Sequence, residues 1–222
     1  GFSIKVIGDT KAQEDDYYVT LTDDNTGGTP TWKESVAAGL ETHFDPATMP
    51  HQLVKQPDGS FVFQQAEWLS RQAGDDETNP FPSFVGKTLN DIFLHRNRLG
   101  LLADENVIFS EAGEYYNYFA TTVLTILDSN PIDVAVSNNQ VSILRHAVPF
   151  NKTLLLFSDL TQFTLTAGDL LTPDTVAIDV ATQFEASLRA KPVGIGRFVF
   201  FATRRGIWSG VREYFVETAS DT

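Results

Sequence analysis

The sequence predicts a mainly β protein. Antiparallel hairpins would form part of a β-propeller-like domain, preceded by a small N-terminal β region and accompanied by one or two short helices. Three observations predict this. Asp58-Gly59, a pair that tolerates positive φ, lies between Leu53-Val54 and Phe61 and Phe63, the arrangement of a tight hairpin. A pattern of apolar run, polar turn and apolar run occurs three times in the second half. The 17 Phe with no Cys describe a chain whose core rests on large β-favouring side chains and not on disulfides.

Taken in order, "FSIKVIG" (2–8), "YYVTLT" (17–22) and "TWKESVA" (31–37) are β-branched or aromatic runs. They are separated by the polar "DTKAQEDD" and the Gly/Pro-rich "DDNTGGTP", so a small antiparallel sheet is expected there. The hairpin "HQLVKQPDGSFVFQ" (51–64) follows, and "AEWLSRQA" (66–73) has room for a helical turn or two. We therefore expect an N-terminal β region over residues 1–80 and a repeat region over 81–222.

The repeated hairpins are "LGLLADENVIFSE" (99–111), "LLLFSDLTQFTLT" (154–166) and "FVFFATRRGIWSG" (198–210). Aligning their turns puts Ala103 with Ser158 and Ala202, and "RHAVPFNK" (145–152) resembles "RAKPVGIGR" (189–197) just ahead of the second and third. One hairpin per unit at this spacing is what propeller blades produce, although any antiparallel β protein spaces hairpins similarly. The longer first interval calls for an insertion, and "EYYNYFATTVLTIL" (114–127), as helix or extra strand, is the candidate.

Charge and motif searches narrow the function. A net charge of −13 disfavours a specific nucleic-acid reader and is compatible with an acidic wall past which DNA slides. No run is long and apolar enough for a membrane span, and Gly1 in place of Met leads us to expect an internal portion of a longer protein. "GIWSG" (206–210) misses the nucleophile elbow because its Ser is one place late, and "GIGRFV" (194–199) lacks the third Gly of a dinucleotide loop. His43, His51, His95 and His146 match no metal spacing, and Asp75-Asp76-Glu77 lacks the alternation of a calcium loop. We expect no catalytic residue, no metal and no cofactor. The basic cluster "HRNRLG" (95–100), with Arg96 and Arg98, together with Arg204 and Arg205, is assigned to subunit contacts, because the guanidinium fork pairs carboxylates bidentately. Trp32, Trp68 and Trp208 are expected in the core or a subunit interface.

Longer strings carry a family resemblance. "AGDDETNPFPSFVGKTLNDIFLHRNRLG" (73–100), "GEYYNYF", "LDSNPIDVAVSNNQVSILRHAVPFNKTLLLFSDLTQFTLTAG" and "RAKPVGIGRFVFFATRRGIWSGVREYF" together resemble the tail tubular protein B family, the tail nozzle proteins of short-tailed bacteriophages. "FDPATMPHQLV" (44–54) fits the same pattern, and the likeness covers nearly the whole chain. It implies a non-enzymatic virion protein of the tail. The implied partners are other copies of itself in a hexameric ring, the tail adaptor protein, the tail fibres, and double-stranded DNA passing through the lumen to be retained and then ejected. Residues 73–100 would be a connector into the repeats. The alternative is a tail-associated module that binds or degrades polysaccharide.

Overall fold

The computed structural model describes residues 2–8, 16–22, 29–150 and 152–216. Most of the two connecting segments predicted at 9–16 and 23–30 lies outside the described residues. The described residues contain sixteen β-strands and no helix. The one or two short helices expected are therefore a correction. Residues 66–73 run without regular hydrogen bonding, held by single bonds such as Leu69 N–H to Tyr116 O at 3.0 Å. Residues 114–127 form neither helix nor strand, because their aromatic side chains insert one by one: Tyr118 and Phe119 are buried while Tyr115 and Tyr116 stay exposed.

The chain separates into two compact units. Unit 1 comprises Gly1–Pro82 and Ser110–Pro131, and unit 2 comprises Ser83–Phe109 and Ile132–Thr222.

In unit 1, β1 (Ser3–Val6), β2 (Tyr17–Thr22) and β3 (Thr31–Ser35) pair antiparallel in sequence order. Period-two alternation gives the sheet one face of Ile4, Val19, Leu21 and Trp32 and another of Ser3, Thr20, Lys33 and Ser35. β4 (His51–Lys55) and β5 (Phe61–Gln65) form the predicted hairpin, and Gly59 at φ 87° makes its turn possible. The rest of unit 1 is stapled by polar side chains. Arg71 is fully buried and donates to Glu41 O, to Asn79 O and to the Asp76 carboxylate, with its guanidinium 5.0 Å from the Phe81 ring centre. Asn79 donates to Ala73 O and Ala120 O and accepts from Ala120 N–H, tying two distant stretches of chain together. The Glu34 carboxylate accepts from Thr122 and the Val123 amide at 2.6 and 2.7 Å. Each such bond contributes modestly, about 1 kcal/mol, but losing one partner leaves a buried polar group at a cost of about 1–3 kcal/mol.

Unit 2 is built of stacked meanders. β6 (Leu89–His95), β7 (Arg98–Ala103), β8 (Asn106–Phe109) and β9 (Ile132–Ala135) form one four-stranded antiparallel sheet in sequence order. β10 (His146–Phe150), β11 (Thr153–Phe157), β12 (Gln162–Thr166) and β13 (Ala177–Thr182) form a second. β14 (Val193–Ile195), β15 (Phe198–Arg205) and β16 (Trp208–Tyr214) form a third, of three strands. The run Leu154-Leu155-Leu156-Phe157 explains the stacking. Leu154 and Leu156 join a core with Leu102, Val107 and Phe109 of the first sheet, whereas Leu155 and Phe157 join one with Val199 and Phe201 of the third. A strand buried on both faces needs apolar residues at every position, which is why this run does not alternate.

All three predicted repeat hairpins are present, with two adjustments. Each is preceded by a further strand, so β6 lies inside the stretch read as a connector. The Arg96-Asn97 turn at φ 47° and 60° and Gly196 at φ 61° form its tight links. The third main turn falls at Gly206-Ile207, three residues beyond the position that the alignment of Ala202 with Ser158 implies. The 73–100 stretch contains the boundary between the units at Pro82-Ser83.

Candidate functional site

The four arginines assigned from sequence sit in two different settings. Arg98 opens β7 with its side chain buried, and its Nη2 donates to Leu171 O at 3.0 Å. Arg96 lies in the adjoining turn and spends both terminal nitrogens on backbone carbonyls of its own unit, Gly168 O and Lys152 O, each at 2.8 Å. Both act as internal clamps that tie the β6–β7 turn to neighbouring loops. Beside them His95 is also buried, and burial followed by the Arg96 charge pushes its imidazole down to about 4.

Arg204 and Arg205 differ. β15 alternates buried and half-buried positions up to Thr203, its inward side chains Val199 and Phe201 seated in the core. Beyond Thr203 the alternation stops, and residues 204–209, "RRGIWS", are all exposed. Pairing continues through Arg204↔Ser209 and Arg205↔Trp208, and Gly206 at φ 63° closes the turn. The hairpin thus overhangs the sheet that supports it. Its tip shows Ile207 at 92% and Trp208 at 73% exposure, and among the described residues neither guanidinium has a hydrogen bond or ion pair. Arg212, further down β16, is already engaged, stacked 3.8 Å from the Phe184 ring centre at the side of an open cavity of about 360 Å³.

Sequence reasoning expected Trp208 in a core or interface and did not single out Ile207. The available signal was an apolar pair in "RRGIWSG" where a hairpin turn ordinarily carries polar residues. Trp32 is half exposed against Phe2, and Trp68 packs on Tyr116 while its indole N–H donates to Pro50 O at 3.3 Å.

The remaining polar candidates are occupied by structural tasks. The Asp75 carboxylate caps the amides of Glu77 and Thr78 at 3.0 Å, and Asp76 pairs with Arg71. His51 stacks on Phe63, and His146 Nε2 lies 3.1 Å from Leu188 O. Among the described residues no three His, Asp or Glu side chains converge on a metal position.

Stacked antiparallel meanders, polar residues committed to structure, and one hairpin tip that is exposed, cationic and apolar describe a β-structural protein whose described residues form no metal cluster. The chain belongs to the bacteriophage nozzle protein family, whose profile matches residues 1–222. It is 42% identical over 215 residues to tail tubular protein gp12 of Escherichia phage T7, across 97% of this chain and 27% of that protein. The chain thus spans about a quarter of the length of the relative it matches.

Proposed function

We propose that this chain is part of a nozzle subunit in a bacteriophage tail, a non-enzymatic structural protein of the virion that retains the genome and lets it pass into the host. The observation that carries the reading is the family match along the whole chain, joined by 42% identity to a tail tubular protein. In the full-length protein the subunits close into a hexameric ring below the tail adaptor and beside the tail fibres, and Arg204 and Arg205 serve its subunit contacts. The charge supports a channel role. Unit 1 carries five Lys and Arg against seventeen Asp and Glu, a net −12. An acidic wall offers few cationic side chains to release the counterions condensed on DNA, so the duplex slides without being trapped.

The sheets of unit 2 are blades of a propeller in this reading. Two successive four-stranded meanders stacked face to face support it, as does the outer face of the third sheet. There Val193, Ile195 and Val211 are exposed in a pattern suited to one more sheet. Residues 1–80 correspond to a platform-like region.

Immunogold microscopy of purified particles of the encoding phage, with antibody to this chain, tests the assignment. Label at the distal tail is expected. Unlabelled particles with the antigen free in the lysate would overturn it.

A further inference from the structure

The acidic charge is not spread along the chain. Unit 1 holds net −12, whereas unit 2, with eleven Lys and Arg against twelve Asp and Glu, holds net −1. Within unit 2 the overhanging tip Arg204–Ser209 concentrates two guanidinium groups, without an ion pair among the described residues, beside Ile207 and Trp208, and no acid lies among its six residues. We infer that this tip docks on unit 1 of a second copy of the protein. The inference rests on the assembly reading above and names the two surfaces that meet.

Three arguments favour a second copy. Side-chain composition comes first: Arg and Trp are the residues that dominate binding energy at protein interfaces, and they do so where water is excluded. Complementarity comes second. Unit 1 offers exposed acids such as Glu41, Asp45, Glu67 and Glu77, and also an uncovered apolar row of Leu53, Phe61 and Phe63 on the β4–β5 hairpin. It can therefore meet both the charged and the apolar parts of the tip. Symmetry comes third, since a contact between unlike patches is heterologous and generates a ring when the rotation closes. Duplex DNA is the other partner that two arginines could suit. However, Ile207 at 92% exposure and Trp208 at 73% would gain little against a phosphate backbone.

The test places the photo-crosslinking residue p-benzoylphenylalanine at Ile207, a position exposed enough that folding is undisturbed. Equal amounts of ordinary and 15N-labelled full-length protein are mixed, assembled with and without duplex DNA, irradiated and mapped by mass spectrometry. Cross-links joining heavy to light chains, with the acceptor peptides in residues 1–82 or 110–131, are expected. The double variant Arg204→Glu/Arg205→Glu should weaken association at least tenfold, and added salt should weaken the wild type progressively. Acceptors in unit 2, acceptors only within the same molecule, or cross-links to DNA in place of protein would overturn the docking while leaving assembly intact. A wild-type protein that stays monomeric throughout would overturn the assembly reading itself.

Discussion

Unit 1 and unit 2 solve the same problem, covering β-structure, by different means. Unit 2 stacks sheets so that β11 is buried on both faces, and its cohesion comes from Leu, Val and Phe side chains. Unit 1 leaves its hairpin face Leu53, Phe61 and Phe63 exposed, and it ties irregular chain together through Arg71, Asn79 and Glu34. The apolar unit is nearly neutral and the polar-stapled unit carries almost all the net negative charge. The difference lies in the balance of signs and not in the number of charges: unit 2 has about as many charged residues as unit 1, but its bases nearly match its acids.

The comparison can be broken by selective damage. Leu156→Ala removes a side chain shared by two sheets and should cost about 3–5 kcal/mol, seen as lost amide-exchange protection across unit 2. Arg71→Ala should cost about 3 kcal/mol, because the buried Asn79 carbonyl and the part-buried Glu41 carbonyl lose their donor, with protection lost across the described parts of unit 1. Equal loss across both units for either variant would erase the distinction. Gly100→Ala should cost about 1–3 kcal/mol by overpacking, since an added Cβ would lie 2.3 Å from the Phe93 ring, and denaturant titration measures it.

The pH responses should separate as well. His95 is held at about 4 in the fold against 6.5 when unperturbed, so above 6.5 it is neutral in both states. Between 6.5 and about 4 the unfolded chain takes up a proton that the folded chain does not, and unit 2 loses stability as pH falls through that window. His95→Phe should flatten the response. In unit 1 Lys5 and then the Gly8 amide hold the Asp16 carboxyl below 3.8. Burial opposes ionisation of Asp75, but the Thr78 and Glu77 amides outweigh it and its carboxyl is lowered too. Those contributions are present above about 3.8 and are lost only below it, so exchange profiles at pH 5 should show unit 2 weakened and unit 1 intact. The smallest effect is expected from Arg204→Glu/Arg205→Glu. Both side chains are exposed, and monomer stability should stay within about 0.5 kcal/mol of wild type in thermal unfolding.

The sequence by itself determined the β class, the Asp58-Gly59 hairpin, the three repeat hairpins and the family. These follow from local chemistry: a turn pair that accepts positive φ, β-branched and aromatic runs on either side, and long distinctive strings. Tertiary structure decided the rest. The stretches at 66–73 and 114–127 offered helical length, yet bonds such as Asn79 to Ala120 O fix them as irregular chain, a choice made by partners 41 residues away. Arg98 and Arg204 look alike in sequence, but one is buried in unit 2 and the other overhangs it, because exposure depends on where the supporting sheet ends. The excess of acid was legible in the first 82 residues, which hold fourteen Asp and Glu against five Lys and Arg, but only the folded molecule takes residues 110–131 out of the repeat region and joins them to that unit.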